Sequence, residues 1–171
     1  MKQNIDLKKL TLAALFAAMT AAATLLIQIP TPSKGYLNLG DSIVNIAAWM
    51  LGPYYGGAAA GLGSAIADLI SGYALYAPAT LVIKAGMAVV SWFAFTSVSK
   101  RFPSLPSRIF AAAAAELVMV VGYALFEVII YQNVYTGVIG IPANILQGTV
   151  GAAVSVVIYE FILKKIPKLN D

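Results

Sequence analysis

An all-α polytopic membrane protein, with six transmembrane helices and both termini in the cytoplasm, is the fold class this sequence predicts. Three observations predict it. Of 171 residues, 60% are hydrophobic and only 11% charged, against about 45–50% and about 25% in ordinary soluble domains; mean hydropathy is +0.84. Apolar runs of the length that a bilayer core of about 30 Å demands recur along the chain, punctuated by Gly and Pro breaks. Folding those runs back and forth gathers the basic residues on one side, as cytoplasmic loops require.

The helices follow in order within a single domain, 1–171. The first runs from about Lys9 to Ile29 and stops at Pro30-Thr31-Pro32. It has a basic start and a small-residue stretch, but its apolar run is too long for a signal peptide, so it reads as a retained span. The second runs from Leu39 to Leu51, before Gly52-Pro53, and the third from Tyr55 to Ile70. Both are short and are expected to tilt or to stop short of a full crossing. The fourth runs from Pro78 to Val98, the fifth from Ser107 to Tyr131, and the sixth from Pro142 to Lys164. With the N-terminus inside, the inner face holds Lys2, Lys8, Lys9, Lys100, Arg101, Arg108, Lys164, Lys165 and Lys168. Only Lys34 falls in an outer loop, and Lys84 lies within a helix. A five-helix arrangement would split the two basic termini across the membrane. The sequence therefore places the protein in a cell membrane as a multi-pass chain.

The missing residue types exclude chemistry. Without Cys there is no disulfide, thiolate nucleophile or thiolate metal site, and without His there is no imidazole ligand or His-based triad. No Walker-type run occurs. No enzyme activity, catalytic residue, metal or cofactor is expected, and the lipid bilayer rather than nucleic acid is the partner that the basic residues imply.

Charge within a bilayer costs roughly 2.5–3.5 kcal/mol even on insertion scales, so buried ionic groups need partners, water or a function. At 1.5 Å per helical residue, Asp41, Asp68, Lys84, Glu127, Asn144 and Gln147 all fall in the outer third, from five different helices. Glu116, Tyr123 and Glu127 share a stripe, as do Asn144 with Gln147, and Ser64 with Asp68 and Ser71. Tyr73 and Tyr76 stand in the adjacent outer loop. Together these groups describe a small outward-facing pocket suited to a polar ring-containing solute. Each has a structural alternative: Lys84 pairing with Glu127 or Asp68, Asp41 capping a helix, and Asn144 and Gln147 bonding between helices. The inner half offers only Glu116 and Glu160.

The first helix carries small residues four apart: Ala13/Ala17, Ala14/Ala18 and Ala17/Ala21. Such spacing lets helices approach closely in lipid. Gly57, Gly61 and Ala65 repeat it in the third helix, which reads as an internal contact. The first helix is a candidate surface for an external partner.

These segments resemble a known family. Gly35-Tyr36-Leu37-Asn38-Leu39-Gly40-Asp41, Leu51-Gly52-Pro53-Tyr54-Tyr55-Gly56-Gly57, Gly61-Leu62-Gly63-Ser64-Ala65-Ile66-Ala67-Asp68-Leu69 and Tyr76-Ala77-Pro78-Ala79-Thr80-Leu81-Val82-Ile83-Lys84-Ala85-Gly86 are similar to segments of the substrate-binding S components of energy-coupling-factor (ECF) vitamin transporters. Within that superfamily the chain resembles the riboflavin, hydroxymethylpyrimidine and pyridoxine branch. The resemblance implies capture of a vitamin or precursor from outside and docking through Ala14 and Ala18 onto a membrane coupling (T) subunit. Two cytoplasmic ATPases would power the complex, with the S component toppling in the membrane. Ligand contacts would come from Asn38, Asp41, Lys84, Glu127, Asn144 and Gln147. Three rival readings stay open at this point. One is a small proton-coupled secondary transporter using Asp68, Glu116 or Glu127, although no internal repeat supports it. The others are a non-transporting scaffold subunit and an intramembrane enzyme.

Overall fold

The computed structural model describes residues 7–165. Lys2 and Lys168 of the expected inner charge set lie outside the described residues. The described chain is helical apart from short connections and one small ribbon. Its elements are α1 (Leu7–Leu26), β1 (Ile29–Pro30), β2 (Tyr36–Leu37), α2 (Gly40–Ile70), α3 (Ala77–Val98), α4 (Ser104–Tyr131), α5 (Val134–Phe161) and a final 3-10 turn, Leu163–Lys165. Four stretches are long and apolar enough to cross a membrane: α1, α3, α4 and α5 with its terminal turn.

The expected second and third helices are one element, α2, broken at Gly52 (φ 79°, ψ −177°). That left-handed φ costs glycine nothing and would strain any side chain, and Pro53 then restarts the helix with its fixed φ. The break folds the element into a hairpin. A Cβ on Gly56 would lie 2.7 Å from the carbonyl of Ala47 and 2.9 Å from Cα of Ala48, whereas in a straight helix those residues would stand about 13 Å apart. The arms, 40–51 and 53–70, thus return Gly40 and Ile70 to the same end of the bundle. Short arms do not prevent this, because they pack on one another as well as on α1 and α3.

Other boundaries also differ from expectation. α1 stops at Leu26, short of Ile29, because Ile29–Pro30 pairs antiparallel with Tyr36–Leu37 across a turn closed by Thr31 N–H donating to Gly35 O at 2.9 Å. α4 begins at Ser104, directly after Pro103. α5 begins at Val134, where Asn133 caps it by accepting from the Tyr135 N–H at 2.9 Å. Pro142, expected to open the sixth helix, lies inside α5. A proline costs a helix one hydrogen bond, a cost that membrane helices tolerate where neighbours pack around the bend.

Small residues set how closely the helices cross. A Cβ on Gly61 would lie 2.6 Å from the Leu81 carbonyl, so α2 and α3 are in backbone contact there. Gly63 meets α1 at Ala17 in the same way. The third-helix glycines are therefore internal contacts. On α1, Ala13 is buried and Ala17 half-buried, while Ala14 and Ala18 face outward.

The apolar core is built from Val44, Trp49, Met87, Met119, Val156 and Tyr159. Large apolar side chains also cover the exterior, among them Phe93, Leu117, Leu125, Ile145 and Val157. Meanwhile Asp41, Asn45, Lys84 and Glu127 lie inside. Apolar bulk outside with ions inside suits a lipid surrounding and reverses the usual soluble pattern.

Candidate functional site

Five elements deliver side chains to one end of the bundle: the β1–β2 ribbon, the far end of α2, the start of α3, the end of α4 and the start of α5. There Thr31, Ser33, Gly35, Tyr36, Asn38, Asp68, Tyr73, Tyr76, Thr80, Tyr123, Glu127, Asn144 and Gln147 line a cavity of about 30 Å³. That holds one or two waters and is far smaller than the 300 Å³ or more typical of small-molecule pockets. Admission of a ring-sized solute therefore requires part of the lining, to which the ribbon contributes Thr31, Ser33, Gly35 and Tyr36, to move.

Two carboxylates face this cavity. Asp68 Oδ1 accepts from the Tyr36 hydroxyl at 2.6 Å. Burial and the carboxylate beside it push the Tyr36 phenol well above the ordinary tyrosine range. Glu127 Oε1 lies 3.4 Å from the Tyr76 hydroxyl, which itself donates to the Ser33 carbonyl at 2.9 Å. The second oxygens, Asp68 Oδ2 and Glu127 Oε2, make no hydrogen bond of normal geometry, and neither does Asn144 Nδ2. The rings of Tyr36 and Tyr73 are 4.6 Å apart and those of Tyr73 and Tyr76 6.3 Å, and Thr80 bonds Tyr123 at 3.0 Å.

Beneath the cavity lies a fully internal ion pair. Lys84 Nζ contacts Asp41 Oδ1, with the two side chains 3% and 0% exposed. Gln147 ties this pair to the cavity: its Nε2 donates to Asp41 Oδ2 at 2.6 Å, and its Oε1 accepts from Asn38 N at 2.9 Å. Asn38 Oδ1 in turn accepts from the Gly40 N–H at 2.9 Å and opens α2. Asp41 is therefore not acting as a cap, and the partner of Lys84 is Asp41 rather than Glu127 or Asp68. A further branch descends toward mid-bundle, where Asn45 donates to Glu116 Oε1 at 3.0 Å and accepts from Ser91 Oγ at 2.8 Å.

Of the six ligand-set residues expected from sequence, Asn38, Glu127, Asn144 and Gln147 line the cavity. Asp41 lies below it, one hydrogen bond removed through Gln147, and Lys84 one contact further. Sequence reasoning saw Asp68 and Tyr123 in the polar cluster but left them out of the ligand set. It missed Thr31, Ser33 and Tyr36, whose signal is the Pro-rich turn that folds back over the site. It also missed Asn45 and Ser91, single polar residues in apolar runs.

Arg108, expected on the inner face at the start of the fifth helix, is buried in α4 at the end opposite the cavity. Its guanidinium lies 3.4 Å from the Tyr159 ring centre and 4.1 Å from that of Phe95. Its Nε bonds Glu160 Oε1 at 3.2 Å, and Glu160 also accepts from Ser104 and Lys164. Stacking on aromatic faces lets a guanidinium lie in an apolar setting.

Comparison with known proteins agrees with this architecture. A relative from Pyrococcus woesei, described as an uncharacterized protein in gap 3'region, is 37% identical over 147 residues, covering 83% of this chain and 92% of its own. A solved S component of a bacterial ECF transporter superposes with a TM-score of 0.66 at 17% identity, covering 92% of this chain and 96% of that one; the likeness is one of fold. Residues 4–165 match the family described as ECF-type riboflavin transporter, S component. With a helical membrane bundle holding a polar pocket at one end and a sequence matched over nearly its whole length, the chain belongs to the ECF-type riboflavin transporter S component family and is a multi-pass substrate-binding subunit of a transporter.

Proposed function

We propose that this subunit captures a water-soluble vitamin or precursor of the hydroxymethylpyrimidine, pyridoxine or riboflavin class on the outer face of a prokaryotic plasma membrane. It then delivers the solute through a membrane coupling subunit driven by two cytoplasmic ATPases. The observation that carries this reading is the cavity itself: four tyrosines, two carboxylates and three side-chain amides converge from the helices and from the ribbon and turn that join them. Aromatic faces hold a flat ring, and the polar groups fix its orientation. Lys8, Lys9, Lys100, Arg101, Lys164 and Lys165 gather at the end away from the cavity, which supports an outward-facing site. Ala14 and Ala18, exposed on α1, offer the close-packing surface for the coupling subunit.

The test is mass spectrometry of small molecules released from detergent-purified protein expressed in rich medium. A stoichiometric vitamin or precursor is the expected result, and Glu127→Ala or Lys84→Ala should lower its occupancy in folded protein. Empty protein that also ignores a vitamin panel in titration overturns the proposal. A proton-coupled transporter is the second reading. It is favoured by Glu116, whose Oε2 is buried without a hydrogen bond of normal geometry, and it predicts uptake driven by a pH gradient in vesicles containing this chain alone.

A further inference from the structure

The charge balance around the cavity narrows the ligand. At and beneath the cavity Asp41, Asp68, Glu116 and Glu127 are all buried, and Lys84 is the buried base beside them. Lys84 is committed to Asp41, and Glu116 is held by Asn45. Lys34 is exposed on the ribbon turn with its ammonium 4.7 Å from the Tyr131 ring centre, and it is not among the residues lining the cavity. The cavity walls thus carry two carboxylates and no cation. Asp68 is 4% exposed and Glu127 2% exposed, and each has an oxygen without a hydrogen bond of normal geometry. Buried acceptors of this kind are costly until a donor reaches them. Among the residues lining the cavity, the donor without such a bond is Asn144 Nδ2 on α5.

Resting on the capture reading, we infer that the ligand is a nitrogen heteroaromatic that presents amino or ring N–H donors, can carry positive charge, and bears no carboxylate or phosphate. Its donors meet Asp68 Oδ2 and Glu127 Oε2. A ring nitrogen or hydroxyl accepts from Asn144. Tyr36, Tyr73 and Tyr76 supply the aromatic faces, on which a cationic ring gains further attraction. An anionic solute would bring negative charge into a desolvated site whose walls hold two carboxyl groups and no base.

The experiment is isothermal titration of the purified full chain with 4-amino-5-hydroxymethyl-2-methylpyrimidine, riboflavin and 4-pyridoxic acid. The aminopyrimidine is expected to bind at least tenfold more tightly than riboflavin, with 4-pyridoxic acid weakest. Glu127→Gln should weaken the aminopyrimidine about tenfold or more, the loss of a charge-assisted hydrogen bond, and should narrow its advantage over 4-pyridoxic acid. Equal or tighter binding of riboflavin or 4-pyridoxic acid to the native chain overturns the inference while leaving capture intact. So does an unchanged preference in Glu127→Gln. Failure of all three probes to bind folded protein overturns the capture reading and this inference with it. Should Glu127→Gln not fold, the ranking of the three probes on the native chain decides alone.

Discussion

Removing Lys84 should destabilise the protein far more than removing its partner Asp41. The pair is wholly internal, with side chains 3% and 0% exposed. Two unit charges in contact at about 4 Å attract by about 4 kcal/mol at an effective dielectric constant near 20, and losing one member of a buried pair costs about 3–5 kcal/mol because the other is left uncompensated. The surroundings break the symmetry. A Cβ on Gly151 would lie 2.8 Å from Asp41 Cβ and 3.4 Å from Glu116 Oε1, so both carboxylates border the same glycine. Lys84→Met leaves Asp41 and Glu116 together without a base, and should cost the full 3–5 kcal/mol or more. Asp41→Asn leaves Lys84 with Glu116 as a substitute counter-ion and preserves an acceptor for Gln147 Nε2, so about 1–2 kcal/mol is expected. The double variant removes the imbalance, and the coupling between the two substitutions should exceed about 2 kcal/mol. Denaturation in detergent, followed by the fluorescence of Trp49 and Trp92, reads all four corners of the cycle. A Lys84→Met protein within 1 kcal/mol of native, or additive single effects, would refute the reasoning, since either result means that the pair is not a buried, mutually dependent one.

Three further outcomes follow from the same geometry. Gly61→Val should lower stability by about 1–3 kcal/mol or more, because even a Cβ would stand 2.6 Å from the Leu81 carbonyl; a thermal unfolding midpoint equal to native would contradict the close α2–α3 crossing. Gln147→Leu should weaken ligand binding about tenfold in folded protein, since it frees the Asn38 end of the ribbon and leaves Asp41 Oδ2 without its donor; calorimetry with the ligand recovered from the native protein checks this. The Tyr36 phenol is held protonated by burial and by Asp68. Its folded value lies above the unfolded value of about 10, so the stability it contributes is complete below that pH and is lost as pH rises through the folded value. Tyr36→Phe should flatten that alkaline decline in stability, read by thermal unfolding from pH 8 to 11.

Much of the fold was legible because lipid imposes a simple rule on sequence: long apolar runs become helices, and their ends are basic or broken. Gly52-Pro53 reads as a boundary between two helices, and α2 breaks there into two arms that support each other through Gly56. The exceptions have physical causes. Pro142 reads as a start because proline is favoured there, yet Asn133 supplies the true cap and Pro142 is carried inside α5. The polar site was visible as depth and face: Asp68, Glu127, Asn144 and Gln147 had to converge somewhere away from lipid. Pairing was not visible. Which carboxylate takes Lys84 depends on the rotation and crossing of α2 against α3, set by contacts such as Gly61 on Leu81 O, and no one-dimensional period encodes that. The ribbon residues Thr31, Ser33 and Tyr36 were hidden for a different reason, since a fold-back over the site comes from a turn of few residues and not from a repeating pattern.

The distribution of these bonds separates a rigid part of the molecule from a movable one. Lys84–Asp41 joins α2 to α3, and Asn45 joins α2 to α3 through Ser91 and to α4 through Glu116. At the opposite end Arg108–Glu160 joins α4 to α5. Every such link lies among helices, and in low dielectric each is costly to break alone. The ribbon is held by fewer and lighter bonds: Asn38 to Gln147, Tyr36 to Asp68, and the Ser33 carbonyl to Tyr76. All three end on side chains that line the cavity, Gln147, Asp68 and Tyr76. Breaking them would free the cover while leaving the helix-to-helix links untouched. Opening and closing at the cavity end need not loosen the bundle, because the ions that latch the helices together lie beneath the cavity and at the opposite end, away from the cover.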